Sequence, residues 1–455
     1  MSPRNSDGEV PLLALDGVYV AGQPPVSRWD ICCQKGKITS MTESTEPPQE
    51  NAIRFVTPSL CHPHIHLDKC FLFSHPRYAD LEIQEGDFAE AMKLTAQAKS
   101  RFEHEDLMER GQVLIEESIN FGVTHMRAFV EVDLSVGMKC LNAGLALKEK
   151  FRDDICIQIC VFAQDAIVSY EDGGSAMKSL LDAAAQRSGV EALGSTPYVE
   201  ENGNREAQIS NMEFTIMTAK KYGLHLDFHI DYNLDRGKPC MVLDALNLLH
   251  SMKWPCNLES PDFRTIVFGH CTHLTLLGKS EWLGLKQKIQ GLPVAFVGLP
   301  TSDIFMMGRP DEESGGGNRV RGTLQVPQMI KEYDLNAALG INNVGNAFTP
   351  HGSCDPLSLA SFGVGIYQAG TREDADILLQ CISRRAQQAI GLTSSPSNNM
   401  NLSVGDSANF VIFGRESSHG FPSSSWRARR TTQDLVNDPV PERTTVFRGR
   451  IVNYG

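Results

Sequence analysis

The sequence predicts an α/β fold, a (β/α)8 TIM-type barrel with a small β-sandwich built from both ends of the chain. Three observations predict it. Between residues 53 and 390, short β-rich runs alternate with longer amphipathic ones, the pattern of strands each followed by a helix. Histidines recur where several of these strands end, and such barrels keep their chemistry at the C-terminal ends of the strands. The runner-up, a doubly wound open sheet, would want a glycine fingerprint after its first strand, and no Gly-x-Gly-x-x-Gly stands there.

Taken in order, the expected barrel strands are 53–65, 123–132, 155–163, 190–196, 225–231, 265–271, 293–300 and 337–344. Helical periodicity fills 105–120, 136–150, 175–186, 208–222, 241–252, 277–289, 325–333 and 357–368, with apolar residues recurring on one face. The chain ends read differently. Leu12–Val20, Trp29–Lys35, Lys37–Met41, Asn409–Phe413, Thr445–Arg448 and Arg450–Asn453 are short β runs punctuated by Gly17, Gly22, Gly36, Gly405 and Gly449. The expected organisation is therefore sandwich (1–58), barrel (59–401) and sandwich (402–455). Residues 415–443, rich in Ser, Arg and Pro, read as a surface loop. Asp311–Arg321, with three consecutive glycines, reads as a loop inserted after the seventh strand.

Charge narrows the partners. The 455 residues carry 42 basic and 55 acidic side chains, a formal charge of −13, which argues against nucleic acid or an anionic membrane. No apolar run approaches the roughly 20 residues needed to span a bilayer. The N-terminus, Met1 to Glu9, is polar and lacks the apolar core of a signal peptide. A cytoplasmic protein with a small-molecule substrate is expected, and a homo-oligomer is left open. The twelve cysteines include no Cys-x-x-Cys pair, so a thiolate zinc ribbon and the cytidine-type zinc deaminase site are not expected. Cys32, Cys33, Cys156 and Cys160 lie in apolar runs and read as reduced, packed thiols.

The chemistry begins at His64-Ile65-His66, at the end of an apolar run. Residues i and i+2 of a strand share a face, so both imidazoles can converge on one cation. Alone, that pair is a weak signal. It gains weight because the fifth strand ends Leu226-Asp227-Phe228-His229 and the sixth ends Val267-Phe268-Gly269-His270. Four strand-tip histidines are hard to assign to packing, since each buried imidazole needs its own partner.

With these residues in view, the chain resembles the amidohydrolase superfamily, within it the cytosine deaminase-like branch. The resemblance spans nearly the whole chain. Besides the histidine motifs it rests on Gly122-Val123-Thr124-His125-Met126-Arg127, Val161-Phe162-Ala163-Gln164-Asp165 and Gly405-Asp406-Ser407-Ala408-Asn409. It implies one divalent metal, zinc or iron, held by His64, His66 and His229. It implies that His270 contacts the activated water or the substrate, and that Gln164 binds substrate. Binuclear members carry a fourth-strand lysine, whereas this strand ends Gly194-Ser195-Thr196-Pro197; a single metal is inferred.

Two positions depart from the pattern. The family's catalytic Glu, three residues after the fifth-strand histidine, is Tyr232 here, and its eighth-strand Asp is Asn342. An amide oxygen can ligate or accept a hydrogen bond but cannot take a proton from water. Proton transfer would then fall to His270, Asp231 or Asp303, with Tyr232 a poor shuttle near neutral pH. For Asp303 a helix or turn cap is the competing reading. Asn342 and Asn343 are expected to line the cavity and meet the substrate. The leading expectation is a mononuclear metal-dependent hydrolase of a non-peptide C–N bond, in an amide, lactam or amino-heterocycle. A metal-assisted isomerase, lyase or cyclase, and a ligand-binding pseudoenzyme, are the alternatives.

Overall fold

The computed structural model describes residues 12–45, 53–200, 203–257, 260, 262–308, 322–393, 400–414 and 427–454. Four strands open the chain: β1 (Leu13–Val20), β2 (Trp29–Gln34), β3 (Lys37–Glu43) and β4 (Phe55–Pro58). Eight barrel strands follow, β5 (Leu60–His66), β6 (Val123–Glu131), β7 (Cys156–Ala163), β8 (Val190–Ser195), β9 (His225–Ile230), β10 (Ile266–His270), β11 (Val294–Gly298) and β12 (Ala337–Leu339). The chain closes with β13 (Phe410–Phe413), β14 (Arg443–Phe447) and β15 (Arg450–Val452).

Strands β5 to β12 pair in parallel, each with its neighbours in the chain. The ring is completed past the short last strand. Asn342 donates its main-chain N–H to His64 O (3.1 Å) and accepts from His66 N–H (2.8 Å), a parallel bridge opposite Ile65. The eighth strand is shorter than the sequence suggests because Asn342 adopts a left-handed φ of 69°, which breaks the extended ladder. Helices cover the outside, among them His104–Asn120, Arg205–Tyr222 and Met241–Ser251.

The apolar run from residue 53 does not form one strand. It splits at Ser59 between β4 in the terminal sheet and β5 in the barrel. The terminal strands form a seven-stranded sheet in the order β15-β14-β13-β4-β1-β2-β3. They bury Leu15, Val18, Ile31, Val56, Phe410, Ile412 and Val446 in one small core, the sandwich the sequence predicts. The stretch 415–443 is not all loop. Thr432–Asn437 forms a short helix with a Thr431/Asp434 capping box, a signal masked by the Ser- and Arg-rich composition around it. The glycine-rich segment expected at 311–321 and the N-terminal residues read as lacking a signal peptide lie outside the described residues. Among the described residues no helix is long and apolar enough to cross a membrane.

Candidate metal centre and active site

Parallel pairing brings the tips of β5, β9 and β10 to one end of the barrel. His64 and His66 point inward from β5, and His229 from β9; all three are buried. His64 Nε2 and His229 Nε2 lie 3.0 Å apart, and His66 Nε2 and His229 Nε2 3.1 Å. The register pairs His229 with Gly269, and a Cβ on Gly269 would stand 3.1 Å from the His64 ring. Glycine there leaves room for that imidazole. Phe129 and Phe162 form the floor, with ring centroids 4.2 Å from His64 and 4.1 Å from His229.

The donor set suits a cation. Three Nε2 atoms facing one another cannot satisfy each other by hydrogen bonding, since a neutral imidazole has one donor and one acceptor nitrogen. A shared ion uses all three lone pairs. Tetrahedral zinc with bonds of about 2.0–2.1 Å would set its nitrogen ligands roughly 3.3 Å apart. Burial is the main cause holding His64, His66 and His229 well below the usual imidazole pKa, and the neutral ring is the ligating form. No other such cluster of His, Cys, Asp or Glu occurs among the described residues. A lysine in place of Gly194 is excluded on space alone: a Cβ there would lie 2.2 Å from Asp227 O.

His270 ends β10 with a left-handed φ of 66°. Its Nδ1 is 2.8 Å from Asp303 Oδ1. Asp303 Oδ2 also accepts from Thr323 Oγ1 (2.7 Å) and from Leu299 N–H (3.3 Å). Burial raises the Asp303 pKa, although His270 and Thr323 pull it down. Asp303 meets the cap reading, accepting from Leu299 N–H at the start of the helix Pro300–Met306, and it also orients the imidazole, a role the sequence did not suggest.

Asp231 sits elsewhere. Its two carboxylate oxygens accept from Met241 N–H and Val242 N–H, both at 2.9 Å, and from Cys240 Sγ at 3.2 Å. That geometry anchors the start of the helix Met241–Ser251, which corrects the expectation of a proton acceptor at the barrel mouth. Tyr232 lies against His270, centroids 4.0 Å apart and 37° between planes. Its hydroxyl reaches Ser302 O only at 3.4 Å, and burial pushes its pKa well above 10. It is a wall more than an acid. Asn342 Nδ2 donates to Ser302 Oγ at 2.8 Å.

A narrow cleft opens beside the histidines, lined among others by Gln164, Tyr198, Tyr232, Asn342, Asn343 and Phe348. His66, His229, His270, Gln164, Tyr232, Asn342 and Asn343 line it; His64 lies behind them against His229, and Asp231 and Asp303 stand outside. A buried charge network beneath it has no counterpart in the sequence reading. Lys69 Nζ pairs with Glu131 Oε1 at 2.5 Å, and Lys99 Nζ pairs with Glu131 Oε2 at 2.7 Å and contacts Asp133. Burial alone would raise the Glu131 pKa, but Lys69 and Lys99 outweigh it and hold the carboxyl low. Lys69 follows directly on His66-Leu67-Asp68, and that adjacency was the one available signal.

Strand tips, imidazole cluster and covered cleft define a barrel protein with a metal-type histidine centre. No family model matches the chain. A curated relative, N-isopropylammelide isopropyl amidohydrolase of Pseudomonas sp. (strain ADP), is 26% identical over 396 residues, covering 83% of this chain and 84% of its own. Among solved structures, a 5-methylcytosine deaminase from Klebsiella pneumoniae superposes with a TM-score of 0.79 at 21% identity, covering 97% of this chain and 98% of its own. N-isopropylammelide isopropylaminohydrolase from Burkholderia multivorans ATCC 17616 gives 0.71 at 19%, with the same coverage. An adenosine deaminase from Xanthomonas campestris with bound zinc gives 0.60 at 13%, covering 97% and 92%. The chain is thus similar in sequence to a curated amidohydrolase and shares the fold of these deaminase and aminohydrolase structures.

Proposed function

We propose that this protein is a mononuclear metal-dependent hydrolase of a non-peptide C–N bond in a small molecule, an amide, lactam or amino-heterocycle. The convergence of three Nε2 atoms beside a carboxylate-oriented His270 carries the reading. The relatives bear the names of amidohydrolases and deaminases, which favours hydrolysis over rearrangement or binding alone. His64, His66 and His229 would hold the ion, zinc or iron. When bound, such an ion supplies Lewis acidity that makes water nucleophilic near neutral pH.

The chain's own groups do the rest. An ionised Asp303 accepts from His270 Nδ1–H, which leaves Nε2 as the ring nitrogen for proton exchange with water or a leaving amine. Gln164 and Asn343 meet the substrate's polar edge. Phe348, Tyr198 and Tyr232 cover the cleft and exclude bulk water, which strengthens polar contacts inside. A cytoplasmic setting is supported by the twelve unpaired cysteines.

The test is a screen of the metal-loaded full-length protein against amides, lactams and amino-heterocycles in ¹⁸O water. Ammonia or amine release with one solvent oxygen in the product is the expected result. Turnover without oxygen incorporation would replace hydrolysis by a rearrangement.

A further inference from the structure

The orientation of two amides in the cleft is fixed by groups that have no choice of role. Lys69 Nζ, an ammonium with three donors and no acceptor, lies 3.1 Å from the Gln164 side chain. The atom facing it must therefore be Oε1, which turns the Gln164 Nε2 amino group away from Lys69. Lys69 itself cannot swing aside. It is 1% exposed and paired with Glu131. Phe162 and Phe348 flank it at 5.9 and 5.5 Å, and its carbonyl accepts from Asn346 Nδ2 at 3.0 Å. Glu131 is tied to the same segment, because Asp68 Oδ2 accepts its main-chain N–H at 2.6 Å.

The second amide follows the same logic. Asn346 Oδ1 accepts two main-chain donors, Phe348 N–H at 3.0 Å and Thr349 N–H at 3.1 Å. Those donors cannot reverse, so Asn346 must present Nδ2 in the other direction. There it meets Asn343 at 2.8 Å, and the Asn343 atom in contact must be Oδ1. Gln164 and Asn343 both line the cleft. In each, the oxygen is committed within the protein, and the amino group carries no hydrogen bond among the described residues.

We propose that Lys69 and Asn346 are positioning residues that lock the amides of Gln164 and Asn343 with both amino groups toward the cleft, so that it selects ligands presenting acceptors, carbonyl oxygens above all, and rejects those presenting amino groups there. The proposal deepens the hydrolase reading and rests on it for the use of the cleft. A site built around fixed donors discriminates strongly, because a donor-bearing ligand leaves buried amides unpaired.

Two small planar probes separate the cases, uracil with exocyclic oxygens and 2,4-diaminopyrimidine with exocyclic amines. Their binding to the metal-loaded full chain is measured by calorimetry beside metal content and circular dichroism. Wild type should favour uracil at least about tenfold. Lys69→Met should abolish that preference by freeing Gln164 to rotate, and Lys69→Arg should keep it. If Lys69→Met does not fold, Lys69→Met/Glu131→Gln removes both charges of the pair and should give the same result. Asn346→Asp keeps the two main-chain hydrogen bonds and loses the donor to Asn343, so it should weaken the preference. Gln164→Glu should favour the diamine. An unchanged preference in folded Lys69→Met, or no preference in wild type, overturns the proposal. Hydrolytic turnover without the preference overturns it while leaving the hydrolase reading intact. The preference in a chain that binds no metal supports it while removing that reading.

Discussion

His270 Nδ1 and Asp303 Oδ1 stand 2.8 Å apart, both buried, on consecutive barrel units. The carboxylate selects the tautomer and holds the ring against rotation. Asp303→Asn keeps the size but can offer a donor where an acceptor is needed. Turnover should fall on the order of 10²–10⁴-fold, the usual cost of losing an acid–base group, with bound metal unchanged. His270→Asn should fall by a similar factor and also keep its metal. Wild-type turnover in His270→Asn would exclude it as the essential base.

Tyr232 gives the opposite expectation for a hydroxyl. Its ring packs on His270, while its OH makes one long contact to Ser302 O. Tyr232→Phe should stay within roughly threefold of wild type in kcat, far from the 10²–10⁴ cost of removing an acid or base. Tyr232→Ala, which removes the wall, should lose much more. A large loss in the phenylalanine variant would make the hydroxyl a proton donor after all.

Asn342 is held by its main chain to both His64 and His66, so a change of side chain alone should leave the barrel seam in place. Asn342→Asp adds a carboxylate at the strand tip, a group that can accept a proton where the amide cannot. Hydrolytic turnover should rise, read as kcat across pH. An unchanged rate would show that Asn342 acts through its main chain.

Much of this arrangement was legible in the chain. His64, His66, His229 and His270 each end an apolar run, and the parallel register needs nothing more to gather them. Asp303 was ambiguous because a carboxylate just past a strand reads equally as cap or proton acceptor, and its contact to His270 depends on packing between barrel units. Asp231 misled: a carboxylate two residues after a strand-tip histidine looks catalytic, and only the path of the chain into the helix Met241–Ser251 shows what it caps. The network of Lys69, Lys99, Glu131 and Asp133 was invisible for another reason. Charged residues at strand and helix ends read as solvent-facing, and their pairing depends on side chains brought together from separate barrel units. The helix Thr432–Asn437 was hidden by composition.

A pH effect on stability follows from His62. This imidazole is fully buried against Ser118 Oγ at 3.2 Å, and burial lowers its pKa from 6.5 to about 3, with a small opposing pull from Asp355. Between these values the unfolded chain binds the proton and the folded chain does not. Stability therefore rises with pH through that window, and is lost as pH falls from about 6.5 toward 3. In metal-stripped protein, His62→Gln should flatten that slope in denaturant titrations at several pH values. A slope equal to wild type would mean that His62 already carries its proton in the folded chain.

The central claim is that three imidazoles from β5 and β9 hold one ion, and metal stoichiometry measures it most directly. Wild type, His64→Ala, His229→Ala and the control His75→Ala, whose ring lies outside the barrel strands beside Glu109, are purified and analysed by elemental mass spectrometry. About one zinc or iron per chain is predicted for wild type and His75→Ala, with a sharp loss in the other two. Full occupancy in folded His64→Ala or His229→Ala would contradict the assignment.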